Sequence, residues 1–183
     1  MFKNGFKIWS RWAWEHWRPF DTQYPVYMTK SYILINSWED GNICTDEGLT
    51  HLLNVNFFEE DQVTTWYLCL FEDDYTPLIT DTYAAPGYTE CDELQDATRP
   101  QFQAAEATAK SITNVSNKAS FTFALNKTIY GGALVGGGAS PNTIADAAGG
   151  GVLFCASKFT AGSQAFIAND VAKLTVSISV ASG

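Results

Sequence analysis

Apolar residues at the start of the chain recur at steps of three and four: Phe2, Phe6, Trp9, Ala13, Trp17 and Phe20. This spacing predicts a helix with those residues on one side and Lys3, Lys7, Arg11 and Arg18 largely elsewhere, ended at or near Pro19. An extended segment is expected to follow as far as Cys44, with Ser31-Tyr32-Ile33-Leu34-Ile35 as its strand-like part. Residues 1–44 therefore read as an N-terminal aromatic arm, helix plus extended segment. Residues 45–183 read as a separate body.

In the body, Leu49, Leu52, Leu53 and Phe57 mark a short helix, with Thr45 or Asp46 as its N-cap. Thr64 to Phe71 is apolar on both alternating faces, the pattern of a central strand covered on both sides. Further on, the period is two. Phe121, Phe123 and Leu125 alternate with small polar residues, and Thr128 to Val135 is a strand interrupted by Gly131-Gly132, which suggests a bulge or a close backbone approach. Val152 to Phe159 follows, and then Val171 to Val180, where Leu174, Val176, Ile178 and Val180 are expected to point inward. Short strands separated by Gly, Pro, Asn and Asp predict a mainly β fold, an antiparallel β-sandwich of jelly-roll or Ig-like type.

Charge divides the 183-residue chain further. The net charge of −9 is carried by residues 45–98, which hold thirteen acids and no Lys or Arg. A chain this acidic is not expected to bind nucleic acid, because phosphate recognition needs a surplus of bases. Five of the six tryptophans, Trp9, Trp12, Trp14, Trp17 and Trp38, precede residue 45. The aromatic stripe, Phe2, Phe6, Trp9, Trp12, Trp14, Trp17 and Phe20, reads foremost as an arm that docks on another protein. Two other readings stay open: a part of the chain's own core, and a helix lying on a membrane surface. A membrane is the least favoured partner, and the N-terminus lacks the apolar core of a signal peptide.

Catalytic chemistry is thinly represented. Cys44, Cys69, Cys91 and Cys155 form no CxxC pair, so free, mostly buried thiols are expected rather than zinc ligands. His16 and His51 have no metal-ligand neighbour at i+2 or i+4, and no GxSxG surrounds a serine. The glycine runs Gly136-Gly137-Gly138 and Gly149-Gly150-Gly151 lack the Lys of a phosphate-binding loop and read as the ends of a flexible connection. Glu59-Glu60-Asp61 and Glu72-Asp73-Asp74 offer oxygen atoms to calcium but match no calcium-loop pattern, and solvated turns are the favoured reading. No cofactor, metal or catalytic residue is expected.

The order of short motifs carries one resemblance. The Leu49 to Phe57 helix, Thr64-Thr65-Trp66-Tyr67-Leu68-Cys69-Leu70-Phe71, Tyr88-Thr89-Glu90, Ala97-Thr98-Arg99-Pro100, Ser111-Ile112-Thr113-Asn114, Phe121-Thr122-Phe123, Thr128-Ile129-Tyr130-Gly131-Gly132, Leu153-Phe154 and Leu174-Thr175-Val176 follow one another along the chain. Over roughly residues 48–181 this resembles small β-rich virion structural proteins of tailed bacteriophages. The resemblance implies a capsid-associated particle component without enzymatic activity, resident in the virion, and the lack of a signal peptide adds the expectation of synthesis in the host cytoplasm. The Trp-rich extension departs from that pattern. The resulting expectation is a capsid decoration or cement protein that binds the major capsid protein or other virion proteins through its arm and associates with itself on the particle. The alternative is a tail, neck or fibre component that recognises a host surface through the Gly-rich loops.

Overall fold

The Trp-rich segment is a β-strand, and the expected helix over it is corrected. In the computed structural model, which describes residues 6–20, 31–147 and 149–182, strand β1 runs Phe6–Phe20. Phe2 and residues 21–30 of the expected extended segment lie outside the described residues. Burial along β1 has period two: Ser10, Trp12, Trp14 and His16 are buried, whereas Trp9 and Arg11 are exposed and Ala13, Glu15 and Trp17 are half-buried. The reason is pairing. Strand β11 (Val171–Ser182) lies antiparallel to β1 from Phe6 to Trp17, and strand β2 (Ser31–Gly41) pairs with it from Arg11 to Phe20. Aromatic residues suit a pleated, half-buried surface, so the tertiary contact overrides the helical spacing.

The fold is mainly β and antiparallel. Strands β5 (Ser111–Thr113) and β6 (Ala119–Thr122) both pair with β11, completing a first sheet in which β1 lies between β2 and β11. A second sheet has the order β3 (Ile43–Cys44), β9 (Gly151–Lys158), β8 (Gly131–Gly137), β4 (Trp66–Phe71). Strands β7 (Lys127–Ile129) and β10 (Gln164–Phe166) form a separate two-stranded ribbon. One buried cluster draws on both large sheets: Trp12, Trp14, Leu174 and Val176 from the first, Leu68, Leu70, Leu134, Phe154 and Cys155 from the second. Burying each Trp contributes up to about 4 to 6 kcal/mol, from roughly 150 to 250 Å² at about 25 cal/mol per Å².

Helix α1 (Asp46–Phe57) begins where the sequence places it. The Thr45 side chain accepts the Gly48 amide at 3.0 Å and donates to the Leu153 carbonyl, so the cap also fastens the helix to β9. Glu47 Oε2 accepts the amides of Leu153 and Tyr83 at 2.7 and 2.8 Å. A side chain at residue 48 has no room, since a Cβ there would sit 2.6 Å from the Phe154 backbone. The same closeness explains the Gly131-Gly132 pair, because a Cβ on Gly132 would lie 2.7 Å from the Cys69 carbonyl and 2.8 Å from the Trp14 ring.

Strand β4 is buried as expected but is not central. It ends the path of its sheet. Segment 89–102 covers its outer edge through Cys91 N to Leu70 O, Leu68 N to Pro100 O and Phe102 N to Trp66 O, all at 2.8 to 2.9 Å. A run apolar on both faces records coverage, and irregular chain can provide it as well as strands can.

Candidate functional site: the exposed ribbon of β1 and β2

The seven aromatic residues of the proposed arm separate into different environments. Trp12 and Trp14 belong to the core. Trp17 is half-buried, donating from Nε1 to Glu15 at 2.9 Å with the Lys173 ammonium 5.0 Å from its ring centre. Phe6 opens β1 by its backbone pairing to Ser182, while Phe2 is outside the described residues. Trp9 and Phe20 are exposed, at 47% and 50%.

Around Phe20 lies a surface that the stripe did not reveal. The last residues of β1, Arg18 to Phe20, pair with β2 beyond the point where β11 begins. On β2, Tyr32, Ile33, Leu34 and Ile35 are all about two-fifths exposed or more, on both faces of the strand. Directly paired residues share a face, so Trp17 with Leu34 and Pro19 with Tyr32 line the ribbon's outer side. A register shift between His16 and Trp17 leaves Ile35 as the extra residue of a bulge. Strand β2 is the end of its sheet, with one neighbour among the described residues. Its signal in the sequence was the unbroken run of apolar residues, which an edge strand covered on one side does not need.

The polar clusters have structural partners. At the root of the ribbon, Asp170 is fully buried and binds Arg18 through Nε and Nη2, both at 2.9 Å, the Ile167 amide at 3.0 Å and His16 Nε2 at 2.6 Å. Burial raises the Asp170 pKa, but the hydrogen bonds from Arg18, the Ile167 amide and His16 outweigh it and hold the carboxyl below its ordinary value. His51 Nδ1 lies 2.5 Å from Glu60 Oε1.

A second cluster fixes the loop between the glycine runs. Arg99 donates to both carboxylate oxygens of Glu90 (2.9 and 2.6 Å), to the Tyr83 hydroxyl (3.3 Å) and to the carbonyls of Pro141 (2.8 Å) and Asp146 (3.2 Å). Glu90 also accepts the Ala145 amide at 2.8 Å. All five guanidinium hydrogens are thus used. The connection expected to be flexible is clasped to the body.

Among the described residues, Glu72, Asp92 and Glu93 bring ligand atoms within 4.8 Å of one another. A cation already sits there: Lys127 Nζ is 2.8 Å from Glu72 and also pairs with Glu93. Hydrogen bonding to Glu72 raises the Lys127 pKa, against the opposing effect of burial. Asp73 accepts the Thr89 amide and Asp74 pairs with Lys158. Three acids of the middle segment, Glu72, Asp74 and Glu93, are thereby paired with lysines from the last third of the chain.

The described residues also form concavities. One of about 430 Å³, lined by Leu52, Trp66, Phe102, Phe154, Ile178 and Val180 among others, opens between α1 and the two sheets. Another, about 450 Å³, lies over the Arg99–Glu90 pair. Among the described residues, no helix is long and apolar enough to cross a membrane. No protein-family model, curated protein or solved structure matches the chain.

Proposed function

We propose that the chain is a non-enzymatic virion structural protein of a tailed bacteriophage, a decoration or cement protein that docks on the major capsid protein through the β1–β2 ribbon. The observation that carries this reading is the edge strand β2, on which Tyr32, Ile33, Leu34 and Ile35 are consecutive and exposed. Such an edge offers unpaired backbone groups and apolar side chains to a strand of another chain, and natural proteins that stay apart blunt their edges with charge or proline. The order of motifs in the body, similar to that of small virion proteins, supplies the class. The two antiparallel sheets around one core are read as a β-sandwich of jelly-roll or Ig-like type.

Docking through a narrow ribbon is weak for one copy. Repetition over a shell, with contacts between neighbouring copies, makes it strong through effective concentration. The carboxylate contacts of His16 and His51 and the Arg99–Glu90 ion pair support a structural rather than a catalytic use of these residues. The test is a chain carrying Ile33→Lys and Ile35→Lys, offered to particles that lack the wild-type protein. Occupancy measured by quantitative mass spectrometry should fall at least about tenfold, the equivalent of about 1.4 kcal/mol. Unchanged occupancy would contradict the proposal.

A second reading, a tail, neck or fibre component that recognises a host surface, is favoured by the Arg99 clasp, because it pre-organises the Gly-rich loop for contact. A handful of copies per particle, instead of a number matching the coat lattice, would select this reading.

A further inference from the structure

Cys44 and Cys155 stand directly opposite each other on β3 and β9. The amide of Thr45 donates to the carbonyl of Phe154 at 3.1 Å. In an antiparallel pair, a bond from the residue after one member to the residue before the other identifies that pair as the non-hydrogen-bonded kind, where side chains are closest. Cα atoms in such a pair are about 4.5 Å apart. That separation falls inside the range of about 4.4 to 6.8 Å spanned by disulfides.

We propose that Cys44 and Cys155 are a thiol-oxidation site that forms an intramolecular disulfide on reaction with a low-molecular-weight disulfide such as oxidised glutathione. The two sulfurs are unequal, and their inequality assigns the order of attack. Cys44 is half-buried at the margin of the core, whereas Cys155 is fully buried. The thiol of Cys155 hydrogen-bonds to Cys44 and lowers its pKa, while burial, and then the same bond, raise that of Cys155. Cys44 is thus the attacking thiolate.

The Cys44 thiolate attacks one sulfur of the small disulfide, whose S–S bond breaks and releases one thiolate. Cys155 then loses its proton and attacks Cys44 Sγ in the mixed disulfide, forming the Cys44–Cys155 bond and expelling the second thiolate. Two cysteine thiols give up two electrons and two protons. The electrons reduce the small disulfide, and its two thiolates take up the protons.

Cys69 and Cys91 serve as internal controls. Both are buried, and burial pushes each thiol up to about 12. The consequence of oxidation is positional. β3 is two residues long and follows Gly41 of β2 after one residue, so the bond would staple β3, and with it the C-terminal end of β2, to β9. This site goes beyond the docking proposal and stands on the register of β3 and β9 alone.

The full-length protein is incubated with oxidised glutathione, quenched with N-ethylmaleimide under denaturing conditions, and read by intact mass and peptide mapping. The expected product is one linked peptide pair containing Cys44 and Cys155, with Cys69 and Cys91 alkylated. Cys155→Ala should instead accumulate a glutathione adduct on Cys44, and Cys44→Ser should leave Cys155 unmodified in the folded protein. Circular dichroism establishes folding of each variant, and the wild-type result stands without them. Both thiols remaining alkylatable, arrest of the wild type at the mixed disulfide, or linkage of any other pair would overturn the proposal.

Discussion

Trp14 and Trp38 face each other across β1 and β2 with ring planes 7° apart and centres 6.2 Å apart, and both lie nearly perpendicular to the Phe159 ring, at centre distances of 4.7 and 5.1 Å. This cross-strand stack fixes the register of the ribbon and roots it in the core. Trp14→Ala should cost about 3 to 5 kcal/mol in chemical denaturation, as large-to-small core changes do. In a double-mutant cycle with Trp38→Ala, a coupling of about 0.5 to 1.5 kcal/mol is expected.

The same relationship predicts the outcome of truncation. Removing residues 1–20 strips Trp12 and Trp14 from the buried cluster and takes from β11 the one strand that pairs with it along its whole length, leaving only the short β5 and β6 on its other side. The truncated chain should lose its cooperative thermal transition, where a detachable arm would leave the body folded. Differential scanning calorimetry distinguishes the two.

These two expectations show where the sequence was legible. Leu174 and Val176 on β11, the Thr45 cap and the tight Gly132 approach follow from local pattern, since burial on one face or a missing Cβ writes itself into consecutive residues. The Trp-rich strand was obscured because its inward positions include Ser10 and His16. Their polar partners, Cys155 and Asp170, are 145 and 154 residues away. Likewise Tyr32 to Ile35 read as a strand, but its exposure depends on where β11 begins, which no local pattern carries.

Asp170 sets an acid limit on the ribbon's root. Its pKa in the folded protein is lowered from an ordinary value of 3.8, so its stabilisation is fully present above that value and is lost as pH falls through the lower, folded value. Melting temperature followed from pH 5 to pH 2 should therefore drop more steeply in the wild type than in Asp170→Asn. The variant should already be less stable at pH 7, because Arg18 loses its charged partner.

Glu90 and Arg99 have side chains only 6% and 4% exposed. Glu90→Ala leaves a buried guanidinium without its carboxylate and should cost about 3 to 5 kcal/mol. The loop at Pro141 to Asp146 loses its anchor at the same time. Hydrogen exchange of the Ala145 amide, which Glu90 accepts, should accelerate beyond the amount explained by global stability.

Lys127 occupies the space between Glu72 and Glu93 that a divalent cation would need. Calcium or a chelator should accordingly leave the melting temperature of the wild-type protein unchanged. A calcium-dependent rise would show that the ion displaces the ammonium.

The proposed docking of the chain on a virion is through the edge of β2. A reconstruction of the intact virion at a resolution that traces the backbone tests it most directly. With docking at this edge, a coat strand lies alongside β2, Tyr32, Ile33, Leu34 and Ile35 are covered and Phe20 is in the contact. A particle in which β2 faces solvent while the chain is held by α1 or by the loop at Pro141 to Asp146 would contradict it.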